Sequence, residues 1–130
     1  MDTLLSRFSE TLNQHVRKLE LETFRCAGSF ELPQTCALVS EQLELDGIAA
    51  LGIIVQGETS HHHYLARAVI GELCALSTGL SVPLVMGVIT AGSLEQARQR
   101  VDPEGLDRGR EFALSLLTQM ELFQKLRERE

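Results

Sequence analysis

The sequence predicts an α/β fold, a three-layer α/β/α sandwich around a short parallel sheet, because helical and strand-like patterns alternate along the chain. Two near-continuous apolar runs, Ile48–Val55 and 83–89, are typical of strands that are covered on both faces. The residues between these runs have helical spacing, so we expect parallel strands joined by a right-handed crossover. The 130 residues, 44% of them hydrophobic, suffice for one core, and without an internal linker or repeat we expect 1–130 to be a single domain.

Three elements are predicted before the first apolar run. The first is a helix with Asp2 or Thr3 as its N-cap and with apolar residues at helical spacing, namely Leu4, Phe8, Leu12, Val16 and Leu19. A short extended run over 22–27 follows. Pro33 suits the first turn of a second helix, which we expect to end at Gly47.

Three further helices are predicted after the first apolar run. Apolar residues at helical spacing over 61–80 indicate a long helix. Ser93 and Gln96 form a capping box, which predicts a short helix that reaches about Arg100. The last helix is predicted over Arg108–Arg127.

The composition limits the partners and the compartment of the protein. Eighteen acidic and twelve basic residues give a net charge of −6, which argues against nonspecific binding to nucleic acid. No stretch is long and apolar enough to cross a membrane, and the charged start is unlike a signal peptide, so we expect a cytoplasmic protein with no membrane partner. The three cysteines, Cys26, Cys36 and Cys74, show no paired spacing and are predicted to be reduced core residues, with a reactive thiol as the alternative.

In parallel α/β sheets, ligands bind beyond the carboxyl ends of the strands. Three loops follow the predicted strands: 28–33, 56–61 and 90–93. In the second loop, Gly57 allows close approach of the backbone to an anion, Thr59 offers a hydroxyl, and the helix start favours a phosphate. His61 could transfer protons near neutral pH. A helix-capping or buried His61 is an equally open interpretation at this point.

The three consecutive histidines do not predict a metal site. Adjacent residues of a helix point about 100° apart, so His61, His62 and His63 cannot converge on one ion. We therefore expect no bound metal, and we interpret His62 and His63 as solvated or interface side chains.

The first loop offers Ser29, Phe30 and Glu31. Glu31 could accept hydrogen bonds from a polyhydroxylated ligand, and Phe30 could pack or stack on it. For this segment alone, an ordinary strand-to-helix turn is the favoured interpretation. Arg100 and Arg108 could supply the positive charge that a phosphate site needs in an acidic chain, although most surface arginines bind no ligand.

Four sequence segments occur in a fixed order, and together they are far more specific for a protein family than any one of them alone. They are Ala-Gly-Ser-Phe-Glu-Leu-Pro at 27–33, Gly-Ile-Ile-Val-Gln-Gly-Glu-Thr-Ser-His at 52–61 with Tyr64, Val-Pro-Leu-Val-Met-Gly-Val-Ile-Thr at 82–90, and Glu-Gln-Ala at 95–97 followed by Arg100. Each resembles a signature block of the 6,7-dimethyl-8-ribityllumazine synthase family of riboflavin biosynthesis. The resemblance covers roughly 23–125 and implies a flavodoxin-like strand order.

The resemblance also implies a reaction and a role for each matching residue. The family condenses 5-amino-6-(D-ribitylamino)uracil with 3,4-dihydroxy-2-butanone 4-phosphate, a transferase reaction that uses no metal or organic cofactor. His61 corresponds to the proton-transfer histidine and Arg100 to the phosphate-binding arginine, while Arg108 stands where lysine is usual. The other matching positions are the phosphate turn, Gly57, Glu58 and Thr59; the ribityl and pyrimidine region, Ser29 and Glu31; and the backbone edge read by the pyrimidine, Ile54 and Val55.

Family members assemble as pentamers and sometimes as sixty-subunit shells, with each site shared between neighbours. The resemblance therefore implies a homo-oligomer in which Arg100, Arg108 and Met86 come from the adjacent subunit. It also suggests riboflavin synthase as a protein partner.

The sequence departs from the family at several positions. Gln56 replaces the usual arginine, Met86 replaces a phenylalanine near the substrate ring, and Glu104 replaces a frequent lysine. The first strand of the family ends in an aromatic residue that stacks on the pyrimidine. We expect that strand to be missing, because the first predicted helix already includes Leu4; reading 6–9 as the end of that strand is the alternative.

Two functions follow as hypotheses. The leading one is an active lumazine synthase. The alternative is a noncatalytic or diverged paralogue that keeps the oligomeric scaffold and binds a lumazine-like or flavin-like ligand, and the missing stacking aromatic and Met86 favour it.

Overall fold

A computed structural model describes residues 1–57 and 60–129. Its elements are α1 (Asp2–His15), a 3-10 turn (Ser29–Glu31), α2 (Leu32–Gln42), β1 (Ile48–Val55), α3 (His61–Thr78), β2 (Leu84–Ala91), α4 (Leu94–Val101) and α5 (Arg108–Arg127). Two predicted site residues, Glu58 and Thr59, lie outside the described residues. Over the described ranges, the structure contains no helix that is long and apolar enough to cross a membrane.

The two strands form a parallel sheet. They pair from Ile48 opposite Leu84 to Val55 opposite Ala91, and α3 is the crossover between them. The predicted bounds of the first strand are confirmed. The second strand extends two residues beyond the predicted 83–89, and its last carbonyl, on Ala91, accepts a hydrogen bond from the N–H of Gln56 at 2.8 Å.

The sheet lies between two helical layers, which confirms the predicted α/β/α arrangement. Successive side chains of β1 point to opposite faces, so one set packs towards α2 and α3 and the other towards α1 and α5. The core on the α2–α3 face contains Cys36, Ile48, Ala50, Ile54, Val69, Leu73 and Val88. The core on the opposite face contains Phe8, Leu12, Ala113 and Leu116, and continues with Leu4, Ile89 and Val101.

Helices α1 and α5 meet at a close backbone contact near the start of α5. A Cβ atom on Gly109 would lie 2.6 Å from the carbonyl oxygen of Leu4 and 2.8 Å from the Cβ of Arg7. Beside this contact, Arg7 donates from Nε and Nη2 to the two carboxylate oxygens of Asp107, at 2.9 and 2.8 Å. These hydrogen bonds hold the pKa of Asp107 below its usual value. The ion pair thus fixes α1 at the point where α5 begins.

Some local predictions at the N-terminal end were wrong. Asp2 and Thr3 are already inside α1, and no side chain caps its start. The helix ends at His15, although Leu19 still packs against the core between α1 and α5. The 22–27 run forms no strand, so the 28–33 loop does not leave a strand of the sheet.

The prediction of three core cysteines is correct for one of them. All three thiols are free. Cys36 is buried, and this burial raises the pKa of its thiol to about 11, so the thiol is protonated at neutral pH. Cys26 is half-buried, and Cys74 is exposed because it lies on the outer side of α3.

The contact at Gly109 leads to a stability prediction. Gly109→Ala should lower the free energy of unfolding by about 1–3 kcal/mol, because the added methyl group collides with the α1 backbone. Gly71→Ala is the matched control, since Gly71 is also helical and its added Cβ would meet nothing within 4 Å. The control should gain about 0.5–1 kcal/mol from helix propensity. Urea unfolding of both variants measures the difference, and equal effects would contradict the close contact.

Candidate functional site

The turns after β1 and β2 begin side by side at the carboxyl edge of the sheet. The N–H of Gln56 bonds to the carbonyl of Ala91, which extends the ladder one residue beyond β1. Gly57 follows, and α3 begins at His61. The loop between β1 and α3 therefore starts at the carboxyl edge of the sheet, which is where parallel α/β sheets bind ligands.

One backbone edge of β1 is open at this end. The N–H groups of Ile48 and Gln56 both donate to the chain segment of β2, at 2.9 and 2.8 Å. Since backbone groups of successive strand residues point to opposite sides, the even-numbered residues bond towards β2. The backbone of Val55 therefore faces the open side, whereas the backbone of Ile54 belongs to the ladder and its side chain is buried. Of the two predicted residues, Val55 is the one whose amide and carbonyl face the open edge.

Arg100 reaches the same edge from α4. Its Nη1 donates to the carbonyl oxygen of Thr90, which lies opposite Ile54 in the sheet. Because only one N–H of the guanidinium takes part in this bond, the group is oriented and keeps further donors for a ligand.

The start of α4 is capped, as predicted. The Oγ of Ser93 accepts a hydrogen bond from the N–H of Gln96 at 3.1 Å. The second bond of the box differs from the expected one, because the Oε1 of Gln96 accepts from the N–H of Gly92 at 2.7 Å instead of from Ser93. Gln96 thus stabilises the turn that follows β2 through both its backbone N–H and its side-chain oxygen.

The first candidate loop packs over the middle of β1. Ser29, Phe30 and Glu31 form the 3-10 turn that leads into α2. A Cβ on Gly52 would lie 3.3 Å from the Oγ of Ser29 and 3.2 Å from Leu32, so the missing side chain allows the turn to approach the strand. Phe30 is 69% exposed and is accessible for stacking.

Glu31 has a polar atom that protein groups leave unsatisfied. Its Oε2 is buried and has no hydrogen-bond partner among the described residues. An unpaired buried carboxylate oxygen is costly, and a hydroxyl or amide donor of a ligand would offset that cost. This geometry is what a polyhydroxylated ligand beside β1 would need.

The three histidines differ in their positions. His61 is the first residue of α3, and it has interaction partners in the folded chain. The rings of His62 and His63 lie against each other, with centroids 3.9 Å apart and a tilt of 41°. Among the described residues, no group of three histidine, cysteine or acidic side chains could hold a metal ion.

Two predicted residues lie away from this edge within a single chain. Met86 lies in the middle of β2 opposite Ala50, packs against the core on the α2–α3 face and accepts from the N–H of Val88 through its sulfur at 3.3 Å. Arg108 stands at the start of α5 and pairs with Glu111 at 2.5 Å.

The bonds made by the carbonyl of Thr90 and by the side-chain oxygen of Gln96 were not predicted from the sequence. Gln96 could have been found from its position three residues after the N-cap on the helix that carries Arg100. The carbonyl of Thr90 carries no signal in the sequence, because every residue has a backbone carbonyl.

Comparisons with known proteins agree on one family. A family model described as 6,7-dimethyl-8-ribityllumazine synthase matches residues 1–124. A protein of that name from Halorhodospira halophila is 35% identical over 127 residues, which are 97% of this chain and 81% of the relative. The corresponding protein of Leuconostoc mesenteroides is 30% identical over 125 residues (95% and 80%), and that of Aquifex aeolicus is 35% identical over 111 residues (85% and 72%). The family match extends further towards the N-terminus than the resemblance found from the motifs, which covers roughly 23–125.

Proposed function

The chain belongs to the 6,7-dimethyl-8-ribityllumazine synthase family, and from this premise we propose that it condenses 5-amino-6-(D-ribitylamino)uracil with 3,4-dihydroxy-2-butanone 4-phosphate, with loss of phosphate and water. One observation carries the proposal. At the carboxyl edge of the sheet, Gly57 follows β1 and His61 begins α3, while the bond to Thr90 orients Arg100, which the resemblance assigns to the site of an adjacent subunit. In this proposal the reaction uses no metal or organic cofactor, as the family resemblance implies, so the protein contributes positioning and proton transfer.

In the proposed site, Arg100 binds the phosphate of the butanone. The bond to Thr90 orients the guanidinium, so its remaining N–H groups can make bidentate contacts with phosphate oxygens. Gly57 has no side chain, and a Cβ there would meet no atom of residues 1–57 or 60–129 within 4 Å, so in this proposal an anion approaches the backbone closely. In a chain of net charge −6, such a localised cation gives the anionic substrate a defined place to bind. Glu58 and Thr59 complete the proposed phosphate turn.

His61 is the proposed proton-transfer residue. Loss of phosphate and loss of water each require a proton to move between substrate atoms. An imidazole does this near neutral pH, and the proposal is supported by His61 being the first residue of α3, soon after the proposed phosphate turn in the sequence.

The uracil substrate is proposed to bind along β1 and the 3-10 turn. The open backbone of Val55 would pair with the edge of the pyrimidine, next to the ladder residue Ile54. The unpaired Oε2 of Glu31 and the hydroxyl of Ser29 would bond to the ribityl chain, and the exposed ring of Phe30 would pack on the ligand.

We further propose a homo-oligomer, a pentamer or a pentamer-based shell, in which neighbouring chains share each site. In this oligomer Arg100, Arg108 and Met86 contribute to the site of an adjacent subunit, as the family resemblance implies. Riboflavin synthase is the further protein partner in this proposal.

One observation favours the alternative, a noncatalytic or diverged paralogue that keeps the scaffold and binds a lumazine-like or flavin-like ligand. Phe8, the aromatic residue of the 6–9 segment, is only 2% exposed in the core between α1 and α5. In this position its ring cannot stack on a pyrimidine.

Direct assay separates the two functions. The protein mixed with both substrates should produce a lumazine, which its absorbance reveals, while either substrate alone should produce none. A folded oligomer that releases no lumazine, yet binds the product, would reject the synthase and support the paralogue.

Arg100→Ala should raise the KM for the phosphorylated butanone by about tenfold or more, because charge-assisted hydrogen bonds to the phosphate are lost. The KM for the uracil should change little. Arg98→Ala on the same helix is the control, and it should leave both constants near the values of the unaltered protein. Steady-state kinetics with each substrate varied in turn measures the two KM values. An equal rise in both KM values would contradict the role of Arg100.

His61→Gln should lower kcat by about a hundredfold or more at neutral pH, because glutamine cannot take up and release a proton. His62→Gln and His63→Gln are matched controls from the same stretch and should retain most of the activity. Turnover at saturating substrate measures the effect. A kcat that falls equally in all three variants would point to a structural role of the histidine stretch instead.

A further inference from the structure

The side chain of Gln96 makes a bond that helix capping does not require. Ser93 already caps α4 through the N–H of Gln96, yet the Oε1 of Gln96 turns back to accept from the N–H of Gly92 at 2.7 Å. A Cβ on Gly92 would lie 2.9 Å from this Oε1 and 3.6 Å from the Oε1 of Gln56. The side chains of Gln96 and Gln56 therefore both lie against Gly92 in the turn that follows β2.

The same stretch of backbone also receives Arg100. The guanidinium bonds to the carbonyl of Thr90, two residues before the turn that Gln96 holds. Gln96 and Arg100 are four residues apart and thus lie on one face of α4. Helix α4 is consequently fastened to the end of β2 at two points, by Gln96 near its start and by Arg100 near its end.

We propose that Gln96 is a positioning residue for Arg100, and that it sets the affinity of the site for the phosphorylated substrate without contacting it. This inference rests on the proposed function only for the identity of the substrate. If the bond to Gly92 is removed, α4 can pivot about Ser93, and the guanidinium loses its fixed place at Thr90. A displaced guanidinium weakens phosphate contacts, while proton transfer by His61 on a different helix is unaffected.

The kinetic test uses Gln96→Leu, which keeps helix propensity and removes the acceptor. The KM for the phosphorylated butanone should rise by about tenfold, while kcat and the KM for the uracil change by less than about twofold. Gln99→Leu is the matched control on the same helix, since its side chain is also exposed, and it should leave all constants unchanged. A Gln96→Leu enzyme with an unchanged KM for the butanone, or with all three constants shifted together, overturns the proposal.

A second measurement does not depend on turnover. The side-chain Nε–H resonance of Arg100 in a ¹⁵N-labelled full chain, assigned by its loss in Arg100→Lys, reports whether the guanidinium is held in place. Gln96→Leu should shift and broaden this resonance, whereas Gln96→Glu, which keeps an oxygen acceptor for Gly92, should preserve its line width. An unaltered resonance in Gln96→Leu overturns the proposal even if the protein proves to be no synthase. Failure of the lumazine assay with a clear shift would reject the proposed function and support the positioning role.

Discussion

The parallel pairing of β1 and β2 is the constraint on which the rest of this structure depends. Because the eight residue pairs run in register from Ile48 with Leu84 to Val55 with Ala91, both strands end at the same level. Parallel strands cannot be joined by a tight turn, so α3 must return along one face of the sheet. The start of α3 and the start of α4 then have to lie at one edge. His61 begins α3 there, and Arg100 reaches from the last turn of α4 to the carbonyl of Thr90 near the end of β2.

Much of this arrangement could be predicted from the sequence. The elements that were predicted correctly are those whose local sequence is enough to determine them. The bounds of β1 and α5 were predicted correctly, because long apolar patterns bounded by turn residues determine an element locally. The 22–27 run was predicted to be extended and forms no strand, because strand formation requires a partner that local sequence does not specify. Cys74 is exposed for a similar reason, since its surroundings in sequence are apolar whereas its side of α3 faces outward.

In the candidate site, too, some features could be predicted from local sequence and others depend on tertiary structure. Sequence motifs selected Arg100 and His61, but only the structure reveals that Arg100 bonds to a strand carbonyl and that Val55, not Ile54, presents its backbone to the open edge. Both facts depend on strand register and on the alternation of backbone groups, which cannot be read from residue types. The buried Oε2 of Glu31, which has no hydrogen-bond partner within the described part of the chain, is also a property of packing that residue types do not reveal.

The contact between α1 and α5 has a consequence for the time course of folding. Arg7 and Asp107 are 100 residues apart, so α1 leaves the ribosome long before the helix that covers it. At typical synthesis rates this interval lasts roughly 5 to 20 s, during which Leu4, Phe8 and Leu12 lack their final neighbours. The sheet and its α2–α3 face can assemble first, and the closing of α1 onto α5 completes the domain. The apolar face of α1 is therefore the first part of the core to be synthesised and among the last to be covered.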